Sequence, residues 1–302
     1  MELTKFKDGV FYNISSDSFC IKKNELQSSL PISICLKITN YCNLKCKYCL
    51  SSSGPDKKNT HNNNIYSLIS SLKPLFPLRI VISGGEPLLF PYLLDILSIL
   101  KAYRNIVILA TNGTISFKDN ADIIKYLDWV DVSLHGVDEI EYKSTRGTNS
   151  LRLIVKNIEF LSKIKSIPNI AANYLLHKKN ISKLGKALEF YRELGIKKVR
   201  IDNLNRIGRG RKCDLYPIQS QATYSKVSKI IRENRQYFNN IIPPANKKKR
   251  IIKTGYFIID HNNNIKVGNK KYNFIAERKE VLKNMEFYFP HHIHLFKDNE
   301  NY

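Results

Sequence analysis

The sequence predicts an α/β fold, a parallel sheet curled into a partial (β/α)6 TIM-like barrel with a small C-terminal α/β extension. Three observations carry this reading. From Ile32 to Asn203, apolar β-rich runs alternate with helix-periodic stretches, the pattern of right-handed crossovers in a parallel sheet. The stretch involved is roughly 180 residues, which suits one open six-stranded barrel better than two separate domains. Hydrophobic residues make up 43% of the 302-residue chain and charged residues 25%, enough to fill a core.

The elements follow in order. Residues 1–31 form an N-terminal leader, with a hairpin expected around Asp8-Gly9 and Pro31 closing it. Residues 32–215 form the barrel. Ile32 to Thr39 is its first strand. Ile65 to Leu75 is a helix, stopped near Pro74 and Pro77 because proline cannot continue the hydrogen-bond ladder. Arg79 to Ser83 is the second strand and Tyr92 to Tyr103 the next helix, apolar at Leu93, Leu94, Leu97 and Leu100. Asn105 to Ala110 (strand), Ala121 to Leu127 (helix) and Trp129 to Leu134 (strand) come next. Leu151 to Lys165 is a long helix with Leu153, Ile154, Ile158 and Leu161 marking a face. Asn169 to Leu176 is the fifth strand. Ile181 to Leu194 is a helix stopped by Gly195, and Lys197 to Asn203 is the sixth strand.

Residues 216–302 form the extension. Ser220 to Asn239 reads as helical, and Pro243-Pro244 with Lys247, Lys248, Lys249 and Arg250 as a linker. Gly255 to Asp260 and Ile265 to Val267 read as a hairpin turned by Asn262-Asn263-Asn264, and the last dozen residues as a loose tail. His291, His292 and His294 in that tail lack the fixed geometry of a metal site.

Charge and composition exclude several classes. Lys and Arg number 49 against 26 Asp and Glu, a net +23 that attracts phosphates, acidic peptides or an acidic redox partner without choosing among them. The longest apolar run, Leu88 to Leu100, is short and contains Asp95, so no membrane span is expected. Met1 to Phe11 has no apolar signal region, and a cytoplasmic location is expected. The 6 cysteines are a poor disulfide framework in a reducing compartment. Cys20 and Cys35 read as buried structural thiols. Trp129 and the tyrosines read as packing residues.

Cys42, Cys46 and Cys49 form a C-x3-C-x2-C run just past the first strand. Three thiolates this close can wrap one face of a cubane cluster and leave the fourth iron without a protein ligand. Zinc wants a fourth Cys or His nearby, and the nearest, His61, lies in a polar loop. Further polar or glycine-bearing turns end the next strands. In Ser83-Gly84-Gly85-Glu86-Pro87 the glycines permit unusual φ and close approach to a ligand, although a plain β-to-α turn has the same look. Thr111-Asn112-Gly113 ends the third strand and Ser133-Leu134-His135-Gly136 the fourth, with Arg146-Gly147 on the following loop. An exposed arginine is most often a solvated surface residue; its planar fork also suits a carboxylate. All these turns sit at C-terminal strand ends, where barrel enzymes assemble their sites. The mouth offers no paired carboxylates, so no general base is assigned.

With Tyr48 preceding the third cysteine, the run resembles the signature of the radical S-adenosylmethionine (SAM) superfamily. The resemblance covers about residues 32–211 and implies that Cys42, Cys46 and Cys49 ligate one [4Fe–4S] cluster whose open iron chelates SAM. It implies that the Tyr48 backbone lies against the adenine, that Gly84, Gly85 and Glu86 hold the SAM amino group with Pro87 as support, and that Thr111 and Asn112 belong to the family's TNG turn. Ser133 and Arg146 match the residues that contact SAM's ribose and carboxylate in the peptide-modifying branch. The implied reaction is reductive cleavage of SAM to a 5′-deoxyadenosyl radical that abstracts hydrogen from a substrate. A one-electron donor such as flavodoxin or ferredoxin is implied as partner.

Tyr191 to Arg211, ending in Gly208-Arg209-Gly210-Arg211, is similar to the barrel end of SPASM-type peptide maturases, which implies a ribosomally made peptide or protein as substrate. Their extension ligates auxiliary clusters, but here only Cys213 lies beyond Cys49, and one thiolate cannot hold a cluster. The extension is therefore SPASM-like but degenerate, which favours redox-neutral or SAM-consuming hydrogen abstraction. Two other readings stand beside this one. In the first, an RNA-modifying radical enzyme uses Lys247 to Arg250 with Arg206, Arg209, Arg211 and Lys212 on phosphates, although no RNA-binding module is visible. In the second, the chain is a non-catalytic Fe–S and SAM-binding protein. No G-x-G-x-x-G follows the first strand, against a dinucleotide fold.

Overall fold

A computed structural model describes residues 3–5, 10–13, 18–22, 33–59, 66–67, 69–70, 79–164, 169–244, 256–259, 264–267, 270–273 and 293–296. Strands β1 (Leu3–Lys5) and β2 (Val10–Asn13) pair antiparallel, and β3 (Ser18–Lys22) adds to β2; the expected turn residues Asp8 and Gly9 lie outside the described residues.

The six expected barrel strands are all present. They are β4 (Ser33–Thr39), β5 (Arg79–Gly84), β6 (Ile106–Thr111), β7 (Trp129–Ser133), β8 (Asn169–Leu176) and β9 (Lys198–Asn203). They lie side by side in chain order and all run parallel. The helices that return the chain are α1 (Leu93–Ala102), α2 (Glu139–Arg146), α3 (Leu151–Ser162) and α4 (Leu184–Glu193). The sheet continues at both edges. Beyond β9 lies β10 (Asn240–Ile242), reached through α5 (Gln221–Asn234). Beyond β4 lies β11 (Tyr256–Ile259), which pairs parallel with it. Strands β12 (Asn264–Val267) and β13 (Lys270–Asn273) follow antiparallel, so the expected hairpin is built onto the barrel sheet.

The sheet has two unlike faces. Ile34, Leu36 and Ile38 of β4 alternate toward the helices, where they join Leu97, Ile154 and Leu188 in one large core. Burying each such side chain contributes about 1.5–3 kcal/mol. The inner face carries a small apolar floor of Cys35, Val81, Ile108, Trp129 and Ala171. Cys35 and Trp129 are thus packing residues.

Several expectations need correction. Ala121–Tyr126 is a 3-10 turn and not an α-helix. Arg146 is not on a loop; it ends α2, an element the sequence reading missed. The loose tail contains β14 (Ile293–Phe296), parallel to β3 with His294 opposite Cys20. Ser220 to Asn239 is not one helix, because α5 ends at Asn234 and β10 begins at Asn240. Of the helix expected over Ile65 to Leu75, only Tyr66, Ser67, Ile69 and Ser70 are described, and they are helical. His291, His292 and Lys247 to Arg250 lie outside the described residues. No helix among the described residues is long and apolar enough to cross a membrane.

Candidate functional site

The cysteine loop leaves β4 at Thr39 and is tied at once to the turn after β5. Gly85 N–H donates to Thr39 O at 2.7 Å and Glu86 N–H to Tyr41 O at 2.9 Å. Both glycines are forced by this contact. Gly84 has φ +142° and an added Cβ would meet Thr39 O at 2.4 Å; at Gly85 a Cβ would meet Tyr41 O at 2.0 Å. Both glycines thus allow a close approach to the chain's own backbone at Thr39 and Tyr41. The loop closes on itself through Cys42 N–H to Gly54 O at 3.2 Å.

Glu86 is fully buried and binds the strand ends together. Its Oε1 accepts from Thr111 Oγ1 at 2.8 Å and from Leu88 N at 3.2 Å, its Oε2 from Asn112 N at 2.7 Å. Pro87 follows at the start of a short 3-10 turn that Glu86 caps. Burial pushes the Glu86 carboxyl up to about 7, partly offset by these three donors. Asn112 reaches the cysteine loop, its Nδ2 donating to Asn43 Oδ1 at 2.9 Å and to Cys42 Sγ at 3.7 Å.

Arg146 completes the enclosure. Asp138 caps α2 by accepting from Glu141 N, and Gly147 ends it at φ 80°, so the guanidinium is delivered from a fixed last turn. It is 3% exposed. Nε donates to Tyr48 Oη at 3.2 Å, Nη1 to Asn112 O at 3.1 Å, and Nη2 to the Ser133 carbonyl. The guanidinium also stacks 5.0 Å from the Tyr142 ring centre. It therefore touches the cysteine loop and the ends of β6 and β7 together. No carboxylate among the described residues pairs with it. A buried cation hydrogen-bonded to two carbonyls and a phenol, with the Cys46 thiol among its charge neighbours and donors to spare, suits an anion.

The donor chemistry fits an iron–sulfur cluster with an anionic ligand. Cys42 is buried, Cys46 and Cys49 half-buried, all three free thiols. Burial pushes the Cys42 thiol up to about 11, with Glu86 and Cys46 adding to the rise. Burial raises Cys46 too, opposed chiefly by Arg146 and, after the repulsion of Cys49, by Arg209. Such thiols ionise only with positive charge beside them, which iron supplies. Among the described residues, no three His, Cys, Asp or Glu stand close enough to hold a single metal ion. A cubane spreads its cysteine ligands over three irons, so its three thiols need not converge on one point as those of a single metal ion must.

Two features escaped the sequence reading. Carboxylates do meet on the inner face. Arg200 Nη1 contacts Asp131 Oδ2 at 3.0 Å and its Nε contacts Asp202 Oδ2 at 3.0 Å, while Asp131 Oδ1 is buried without a hydrogen-bond partner. The period-2 spacing of Asp131 with Trp129, and of Arg200 with Asp202, was the available signal. His135 lies beside this cluster, its Nδ1 at 2.8 Å from Asn173 O, and its ring meets Tyr48 edge-on at 5.4 Å. Burial and Arg146 hold it neutral, far below the usual histidine range. Second, Arg206 donates to the carbonyls of Cys213 and Leu215 and Arg209 to those of Cys46 and Ser53. These two arginines are spent inside the chain, which weakens the phosphate reading of this segment.

Comparison with known proteins agrees with this geometry. The model of the Radical SAM superfamily matches residues 36–191. A probable GTP 3′,8-cyclase of Sulfolobus acidocaldarius is 29% identical over 180 residues, 58% of this chain and 57% of that protein. One of Sulfurisphaera tokodaii is 26% identical over 229 residues, 68% of this chain and 69% of that protein. Among solved structures, Streptococcus suis SuiB bound to precursor peptide SuiA has a TM-score of 0.67 at 15% identity, covering 85% of this chain and 65% of that one. anSMEcpe with bound AdoMet has a TM-score of 0.60 at 16% identity, covering 78% and 71%. The chain thus spans 57% of the length of the Sulfolobus relative and 65% of SuiB.

Proposed function

The chain belongs to the radical SAM superfamily, and from that premise we propose that it abstracts hydrogen from a ribosomally made peptide or protein. The family's cofactors are a [4Fe–4S] cluster and SAM; Cys42, Cys46 and Cys49 would hold the one, and Tyr48, Gly84, Gly85, Glu86, Pro87, Thr111, Asn112, Ser133 and Arg146 would hold the other. Bound together and given one electron by an external donor, the two would supply reductive cleavage of the SAM sulfonium to methionine and a 5′-deoxyadenosyl radical.

The observation that carries the reading is the buried Arg146, bracketing Tyr48, Asn112 and Ser133 with no carboxylate of its own. Such a fixed positive charge supports the binding of a carboxylate or an anionic cluster at no cost in reorganisation. The Glu86 carboxylate keeps the β5 and β6 ends in register beneath it. The inner-face pairs of Arg200 with Asp131 and Asp202 offer polar groups to a substrate entering the barrel.

A peptide substrate is supported by the similarity of Tyr191 to Arg211 to SPASM-type maturases, and by a fold shared with SuiB, a protein solved with its precursor peptide. With Cys213 the only cysteine beyond Cys49, the extension over residues 216–302 carries no auxiliary cluster, and the chemistry is redox-neutral or SAM-consuming. The division into 1–31, 32–215 and 216–302, a cytoplasmic location, and flavodoxin or ferredoxin as an acidic electron donor to this basic chain belong to the same proposal. A second reading, GTP as substrate, is favoured by the names of the relatives at 29% and 26% identity. Anaerobic turnover with dithionite and SAM separates them. Deuterium moving from a labelled candidate peptide into 5′-deoxyadenosine supports the first; deuterium moving from labelled GTP, with none from peptide, overturns it.

A further inference from the structure

The turn after β9 runs against the cysteine loop through three consecutive residues. Gly208 has φ +57°, and a Cβ there would meet Leu50 O at 2.4 Å and Cys49 O at 2.5 Å. Arg209 N–H donates to Cys49 O at 3.0 Å. Its side chain then crosses the loop, Nε donating to Cys46 O at 2.8 Å and Nη2 to Ser53 O at 2.6 Å. At Gly210, a Cβ would meet Asn205 O at 2.7 Å and Tyr48 O at 3.6 Å.

The Gly-Arg-Gly order thus has a steric and an electronic cause. At Gly208, with positive φ, only glycine lets the turn lie backbone to backbone on the loop, while at Gly210 a Cβ would clash with Asn205 O inside the turn itself. Only arginine spans two carbonyls with a rigid planar fork, since the ammonium of lysine is a point donor. One guanidinium therefore fixes both ends of the stretch Cys46 to Ser53, which contains two of the three expected ligands. Within that stretch the backbone closes only through weak local turns, Cys49 N to Cys46 O and Ser52 N to Cys49 O, both 3.3 Å.

We propose that Gly208-Arg209-Gly210 is a brace, with Arg209 as its positioning residue, that holds the cysteine loop in its ligating shape before iron arrives and keeps a positive charge beside the cluster. The first half rests on contacts within the protein alone; the second rests on the function proposed above.

The test has two arms, so that the two can fail separately. In the iron-free full-length chain, amide hydrogen exchange across Cys46 to Ser53 is expected to be at least about ten-fold faster in R209A than in wild type, because the variant loses both charge-assisted hydrogen bonds to the loop. R211A, which removes an exposed neighbouring charge, should leave it alone, and R209K should fall between. If R209A loosens the whole chain, R209K must still show a change confined to this loop. Unchanged exchange in both overturns the brace. In reconstituted protein, R209Q should lower the cluster's midpoint potential relative to wild type and R209K, because a nearby cation stabilises the more negative reduced state. Equal potentials in all three overturn the electrostatic half. A wild-type chain that takes up no cluster defeats the proposed function while leaving the exchange result to judge the brace.

Discussion

Arg146 donates its Nε hydrogen to the Tyr48 hydroxyl at 3.2 Å across 98 residues of sequence, so one buried cation clasps the cysteine loop to the last turn of α2. Its other two partners, the carbonyls of Asn112 and Ser133, belong to the ends of β6 and β7, so the guanidinium is the common point of the cysteine loop and two strand ends.

Replacing it tests the clasp. Arg146→Ala takes the guanidinium from three acceptors, one buried and two half-buried, and should destabilise the iron-free chain by about 3 kcal/mol, a charged hydrogen bond being worth about 1.5–3. Arg146→Lys can reach one acceptor at a time and should recover part of the loss. Urea unfolding reads this directly, and a loss below about 0.5 kcal/mol would show the contacts to be incidental.

Two glycines should respond oppositely to alanine. Gly85→Ala drives a methyl group to 2.0 Å from Tyr41 O and should cost about 1–3 kcal/mol or more, with poor iron uptake. Gly185 lies inside α4 with nothing within 4 Å of an added Cβ. There alanine should stabilise by about 0.5–1 kcal/mol, by lowering the entropy of the unfolded chain. Thermal unfolding of the pair checks both signs.

Acid should destabilise the chain through His177. It is buried, its Nδ1 has no hydrogen-bond partner, and burial pushes its pKa from 6.5 down to about 4. Between those values the unfolded chain binds a proton that the native one refuses. Stability therefore falls as pH drops from about 6.5 to 4, by up to about 3 kcal/mol from this group, and is unaffected above that window. His177→Gln should flatten the dependence by that amount. Equal slopes for wild type and variant would remove His177 from the account of acid sensitivity.

The barrel was legible because its strands and most of its helices carry strong periods; Leu93, Leu97 and Leu100 mark α1 as plainly as any helix can be marked. What stayed hidden lacks that period. Helix α2, Glu139–Arg146, is polar almost throughout, and its only signals were the Asp138 cap, the acidic first turn and Gly147. Strand β10 is 3 residues long, and the pairing of β11 with β4 joins segments more than 200 residues apart, a relation no local pattern encodes. In the site, residue types were legible and their partners were not. Glu86 sits beneath Thr111 and Asn112, and Gly84 and Gly85 face Thr39 and Tyr41, because the loop folds back on the sheet. Arg209 read as surface charge because nothing in its neighbourhood announces the carbonyls of Cys46 and Ser53, some 160 residues earlier.

The most direct measurement is iron per chain after anaerobic reconstitution with iron and sulfide. One cluster on Cys42, Cys46 and Cys49 predicts about four irons with a brown charge-transfer band, lost in Cys46→Ala. A colourless protein that binds one zinc, or a Cys46→Ala variant that keeps its iron, would contradict the cluster on which the proposed chemistry depends.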